Sequence, residues 1–349
     1  MSAFSKFEAG LTSPWSIAFS VFGIAYGTYA VIDMTQSGEK YELKESLEGK
    51  TYIVTGATSG LGKATAEELA RHKARVIMAC RDRSKCIEVR RDIVLATRNK
   101  KVYCRGLDLQ DFDSVEKFVK NISYGKSEIE RIDGLVNNAA IIERNREVNK
   151  VGIEKTMATN HMGTFLLTGL LMDKLLNQTN DVRIVFLNSN VINRECNLDI
   201  NDLNCEKDKF DGFKVYKKSK LAEALFAKEL SERVKGTNIN VLMADPGRSK
   251  TSLAEKYDGK SFFLSRWILN GVSMFMGERR PGKAIRPILY ALADCEALDM
   301  NGVFLNRERK EQNWPDQAED KLLRKQLWVT TEKWTKFYDH LKNLEISSQ

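Results

Sequence analysis

Histidine is scarce in this sequence. Three occur in 349 residues, His72, His161 and His340, and no two are near each other. Zinc-dependent redox chemistry needs imidazoles and thiolates gathered at short spacing, so no metal site is expected. The six cysteines, Cys80, Cys86, Cys104, Cys196, Cys205 and Cys295, are scattered and include no C-x-x-C pair. A chain that is neither short nor cysteine-dense does not read as a disulfide framework. Between about 50 and 310 there is no linker, repeat or low-complexity stretch, and therefore no sign of an internal domain boundary. No segment has the pattern of a DNA- or RNA-binding module. The net charge is +8, with acidic residues mixed among the basic ones throughout. That balance reads as solubility and attraction to anionic membrane surfaces, with no nucleic acid expected as a partner.

Charge is also missing from 9–32. As a helix rising ~1.5 Å per residue, the densest part, 15–32, would nearly cross the about 30 Å of a bilayer core. Trp15, Tyr26 and Tyr29 lie toward its ends, where amphipathic rings suit lipid headgroups. The expectation is an N-terminal segment, 1–46, carrying an apolar membrane-anchor helix at about 11–32. A cleaved signal and a helix packed on a soluble body are the alternatives. Against the first, only Lys6 precedes the apolar run and no small-x-small cleavage site follows.

From Lys50 onward, short apolar runs alternate with helical patterns. Strands are expected over 51–55, 75–79, 101–107, 134–137, 183–187, 238–244 and 302–306. Helices are expected over 63–72, 84–97, 153–176 and 214–234. This alternation predicts an α/β fold, a single doubly wound, Rossmann-like parallel sheet with helices on both faces. The domain is placed at 47–309, with an amphipathic tail at 310–349.

Strand one runs into Thr55-Gly56-Ala57-Thr58-Ser59-Gly60-Leu61-Gly62-Lys63, which opens a helix. Glycines permit a tight turn and close backbone approach, and the helix start offers unpaired N–H groups to a pyrophosphate. In the first βα unit of such a sheet this predicts a dinucleotide site at Gly56, Ser59, Gly60, Leu61 and Gly62. Strand two ends Met78-Ala79-Cys80-Arg81, with no carboxylate where one would hold the adenosine ribose. Arg81 is a planar cation suited to a 2′-phosphate, so NADP(H) is preferred to NAD(H). Asp82 follows directly, and a solvated Arg-Asp-Arg turn is the plainer reading.

Tyr216 and Lys220 stand four apart, on one face of a helix. A phenol titrates near about 10, and a cation beside it favours the phenolate, which brings proton exchange closer to neutral pH. Tyr338 and Lys342 repeat the spacing in the tail, after the sheet has ended. Tyr216 precedes strand six within the sheet, and its context singles it out.

These motifs resemble the short-chain dehydrogenase/reductase family: 55–62 looks like its TGxxxGxG signature and Tyr216/Lys220 like its YxxxK. The likeness extends over about 47–307. Within the family the chain looks most like the membrane-associated retinol-dehydrogenase branch, through Ala79-Cys80-Arg81-Asp82, Asn160-His161-Met162-Gly163-Thr164-Phe165 and the acidic run 199–203. The resemblance implies that Ser189 polarises a substrate carbonyl and that Asn160 positions a water in a proton relay to Lys220. It also implies that Asp108 contacts the adenine, that Asn137 and Ala139 line the cofactor cleft, and that Pro246, Gly247 and Thr251 hold the nicotinamide. Tyr216 and Lys220 would touch the cofactor as well. The apolar run 262–276 would cover the substrate pocket.

Three residues depart from the pattern: Ala140 where the family has glycine, Asn188 where serine commonly precedes Ser189, and Asp245 where the branch commonly has histidine. The implied function is NADP(H)-dependent hydride transfer with a lipophilic carbonyl or alcohol, retinal/retinol first and a steroid or lipid aldehyde second. A membrane-associated protein of the endoplasmic reticulum or mitochondrion is expected, with homodimerisation a family habit. A cofactor-binding sensor or scaffold without turnover is the reading from another class.

Overall fold

The computed structural model describes residues 14–36, 41–125, 128–189, 192, 196–207, 209–247 and 281–348. Thr251 and the apolar run 262–276 lie outside the described residues. The chain divides into two units, 1–40 with 260–279 and 41–259 with 280–349.

In the first unit, helix α1 spans Pro14–Gln36, a few residues later than expected. Trp15, Ile17, Phe19, Phe22 and Ile24 are exposed, so its apolar side chains do not gather into one buried stripe. Among the described residues no helix is long and apolar enough to cross a membrane, and the near-spanning segment expected from the sequence is not shown.

Among its described residues the second unit has eight strands: β1 (Thr51–Thr55), β2 (Arg75–Cys80), β3 (Val102–Gly106), β4 (Gly134–Asn137), β5 (Val182–Leu187), β6 (Ile239–Ala244), β7 (Val303–Leu305) and β8 (Glu311–Gln312). Their order in the sheet is β3-β2-β1-β4-β5-β6-β7-β8, with only β8 antiparallel. Seven strands stand within a residue or so of their expected places. The two-residue β8 has no hydrophobic pattern of its own and depends on pairing with β7. β1 and β5 are buried along their whole length, as strands covered on both faces must be.

Helices α2 (Gly60–Arg71), α3 (Arg83–Thr97), α4 (Phe112–Ser123), α5 (Thr164–Leu176), α6 (Gly212–Arg233) and α7 (Arg286–Ala293) cover the two faces. One core joins Phe118 of α4, Phe165 of α5 and Phe226 of α6. The other joins Leu69 of α2, Ile93 of α3 and Ile288 of α7. Cys86 of α3 is bonded to Cys104 of β3, a pairing the scattered cysteines did not suggest. The C-terminal helices α8 (Lys321–Trp334) and α9 (Phe337–Ser348) bring Leu327 and Leu344 into the first core. Trp328 packs edge-on to Phe165, with ring centroids 5.0 Å apart.

The helix expected over 153–176 is not continuous. A helical turn at Lys155–Met157 leads into a π-helical turn at Ala158–Gly163 and then α5. A Cβ on Gly163 would lie 2.1 Å from the carbonyl oxygen of Leu109, so this turn presses its backbone against the segment after β3.

Candidate active site

The strand order reverses between β1 and β4, and a crevice at the carboxyl ends of those strands is where such sheets bind ligands. β1 delivers the glycine turn there. Gly56 and Gly60 adopt positive φ, +65° and +53°, which glycine alone enters without strain. Ser59 is extended and makes no side-chain cap to α2, and the first helical bond runs from Lys63 N to Ser59 O. The N–H groups of Gly60, Leu61 and Gly62 thus have no acceptor within the helix, an arrangement fitted to an anionic pyrophosphate. Gly62 serves packing: a Cβ there would lie 2.4 Å from Asn138 Nδ2 and 2.5 Å from Gly56 O.

The turn is tied to the end of β4. Thr55 Oγ1 accepts from Asn138 N and Ala139 N, both at 3.0 Å, and donates to Val136 O at 3.2 Å. Asn138 Nδ2 donates to Thr55 O at 2.7 Å. Asn137, the expected lining residue, is buried, donates to Thr168 Oγ1 and keeps Oδ1 without a partner. Ala140 is not among the positive-φ residues, so its methyl costs the loop no backbone strain. Thr55 and Asn138, absent from the expected set, are the side chains that hold these two loops together.

At the adenosine end, Arg81 is exposed just beyond β2. The Asp82 carboxylate caps α3 by accepting from Lys85 N at 3.0 Å. Asp108 Oδ1 accepts from Gln110 N in a turn after β3. The glycine turn with its open helix start, the orphaned Asn137 oxygen and an exposed cation at the end of β2 together fit a dinucleotide.

The residues expected to transfer the proton lie where α6 meets β5. Asp211 caps α6 through Phe213 N and Lys214 N, which places Tyr216 in the second turn. Lys220 is buried, and its Nζ donates to Leu187 O at 2.7 Å and to Glu223 Oε2 at 2.8 Å. Ser189 follows Leu187 by two residues, and its N–H donates to Asn188 Oδ1. Asn188 Nδ2 donates to Lys220 O at 2.8 Å. The expected serine position therefore lies beside the expected lysine, bridged by the departing Asn188. Burial raises the Tyr216 phenol above its usual range, Lys220 pulls it down, and Glu223 and Asp245 push it up. Asn160 sits in the π-helical turn with its side chain fully engaged. Oδ1 accepts from Ile141 N at 2.8 Å, while Nδ2 donates to Ile141 O and to Ser219 Oγ. π-Helical turns recur at functional positions, and this one clamps the loop after β4 to α6.

Beyond β6, Gly247 has φ +72° and its N–H donates to Asp245 Oδ1, so Asp245 shapes the Pro246-Gly247 turn. The second Tyr/Lys pair is elsewhere: Tyr338 is exposed on α9 and its hydroxyl donates to Glu332. Glu223 was missed in the sequence. Its signal was a carboxylate three residues after Lys220 on a stretch of helix otherwise made of Leu221, Ala222, Ala224 and Leu225.

The family model for short chain dehydrogenase matches residues 50–261. Retinol dehydrogenase 13 of Mus musculus is 34% identical over 317 residues, which cover 91% of this chain and 93% of that protein. Among solved structures, an uncharacterized protein from Mycobacterium Paratuberculosis is 30% identical with a TM-score of 0.65, covering 84% of this chain and 95% of that one. A short chain dehydrogenase from Escherichia coli CFT073, complexed with NADPH, has a TM-score of 0.59 and covers 76% of this chain and all of its own, but at 20% identity it speaks for the fold alone. The match over 50–261 and the 34% identical relative, covered over nearly its whole length, show that the chain belongs to the short chain dehydrogenase family, in its retinol dehydrogenase branch.

Proposed function

We propose that this oxidoreductase uses NADP(H) to interconvert a lipophilic carbonyl and its alcohol, with retinal/retinol the leading pair and a steroid or lipid aldehyde next. The observation that supports the reading is Lys220, one helical turn after Tyr216 on α6, bonded to the end of β5, where Ser189 follows. When bound in the crevice, the dinucleotide supplies or takes up the hydride. In carbonyl reduction the Tyr216 O–H gives its proton to the substrate oxygen, leaving a phenolate beside the Lys220 ammonium. Ser189 can donate a hydrogen bond to the same oxygen as charge develops on it. Alcohol oxidation reverses each transfer.

NADP(H) is favoured because Arg81 is an exposed guanidinium at the end of β2, while the neighbouring Asp82 carboxylate is committed to capping α3. The retinoid preference rests on the name borne by the relatives. Membrane association is supported by the exposed apolar side chains of α1; after carbonate extraction the full chain is expected in the pellet, and recovery in the supernatant would refute it. For the chemistry, the purified chain should turn over retinal, a steroid ketone and an aliphatic aldehyde with NADPH in preference to NADH. Equal or greater rates with NADH would overturn the cofactor reading, and no turnover of any lipophilic carbonyl would overturn the enzyme.

A further inference from the structure

Lys220 does not face Tyr216 alone. Its ammonium has three N–H donors, and two are taken, one by Leu187 O and one by Glu223 Oε2. Both side chains of the Lys220–Glu223 pair are almost fully buried, at 4% and 1% exposure. The pair is braced from β5, since Asn188 Nδ2 holds Lys220 O and lies 3.5 Å from the same Glu223 oxygen. The other carboxylate oxygen, Oε1, is buried without a partner. A carboxylate left half-satisfied in the interior is costly, and apolar residues surround it on its own helix. Stability alone gives no reason for it there.

We propose that Glu223 is a positioning residue for Lys220: its buried carboxylate draws the ammonium toward the end of β5 and tempers its field at Tyr216, so the tyrosine stays a proton donor and alcohol oxidation begins only at higher pH. The inference deepens the proposed Tyr216/Lys220 chemistry and rests on it. The charged groups acting on Tyr216 are Lys220 and Glu223 from α6 and Asp245 from the end of β6. Among the described residues, Lys220 is the charged group that acts on Glu223. Among these, Glu223 can be neutralised without touching a group that exchanges a proton with substrate. Burial raises the Glu223 carboxyl to about 7, with Lys220 opposing. The folded state therefore holds a proton that the unfolded chain has released, and folding stability from this group falls as pH rises toward 7, by up to about tenfold in the folding constant per pH unit. Buried His161, held down from 6.5 to about 3, gives the opposite slope between those values, and it cancels between wild type and a Glu223 variant.

Two measurements on Glu223→Gln test the proposal. In the pH profile of alcohol oxidation with retinol, the midpoint should fall by about one unit, the scale of removing a nearby charge. A merely structural carboxylate would lower kcat at every pH and leave the midpoint unmoved. Glu223→Asp, which withdraws the carboxylate by one methylene, should move the midpoint the same way by less, and it serves if the glutamine variant does not fold. In the ligand-free protein, the tyrosinate absorbance that Tyr216→Phe removes should appear at lower pH in Glu223→Gln than in wild type. A midpoint or an absorbance titration identical to wild type would overturn the inference. Absence of retinol turnover in wild type would instead count against the proposed function, and the ligand-free titration would then decide the role of Glu223.

Discussion

Two tyrosine–lysine pairs share one spacing, and their surroundings differ in every respect that matters to chemistry. Tyr216 stands in the second turn of α6, with Lys220 buried against β5, whereas Tyr338 is 64% exposed and bonded to Glu332. Tyr216→Phe keeps the ring and removes the proton, so turnover should fall by orders of magnitude while dinucleotide binding, followed by fluorescence or calorimetry, persists. Tyr338→Phe should leave turnover near wild type, and the reverse pattern would refute the assignment. At the other end of the crevice, Arg81→Ala should weaken NADPH by about ten- to hundredfold, the scale of hydrogen bonds to a charged group, and NADH far less. Equal losses in the two dissociation constants would remove Arg81 from cofactor selection.

Among the elements, the β1–α2 turn is built for contact with its neighbour as much as with a ligand. Gly62→Ala would set a methyl against Gly56 O and Asn138, and an overlap of that kind costs about 1–3 kcal/mol in thermal or urea unfolding. Ala140→Gly, at the family's usual glycine position, should bring no gain, because Ala140 already sits at ordinary φ and the substitution only loosens the unfolded chain, at about 0.4–1 kcal/mol. A clear stabilisation by glycine there would contradict the observed backbone. The π-helical turn shows what periodicity misses: 153–176 reads as one helix, yet Asn160 bonds both backbone groups of Ile141 within a turn of wider pitch.

For the whole molecule, the C-terminal helices are part of the second unit, which also holds the sheet. Arg324 of α8 is 2% exposed and pairs with Glu229 of α6 at 3.3 Å, while donating to Ala318 O at 2.7 Å. Arg324→Ala should cost about 3 kcal/mol in denaturant unfolding, the lower end for a buried pair, because Arg233 still pairs with Glu229. Lys325→Ala, exposed on the same helix, should change stability by less than about 0.5 kcal/mol. If the two losses were equal, α8 would not be anchored through Arg324.

The sheet, its parallel sense and the glycine turn were legible in the sequence because each is written locally. Buried strands read as apolar runs, and a helix start with glycines reads as a phosphate turn. Gly56, Gly60, Tyr216 and Lys220 were singled out as candidates this way, and Asn160 and Ser189 through family likeness. Three things came only from tertiary structure. Asn138 and Thr55 act across the gap between two strands far apart in sequence. Asn188 looked like a lost serine until it was seen bracing Lys220, and the meaning of Glu223 depends on which face of α6 is buried against β5. The sequence by itself determined that Tyr216 and Lys220 share one face of a helix, since a spacing of four fixes that. The same spacing at Tyr338 and Lys342 shows that it does not say which pair is buried beside the sheet. The electrostatic setting of Tyr216 and Lys220 was decided by the packing of α6 against β5, because a charge acts through space and burial, and neither is written in a local pattern.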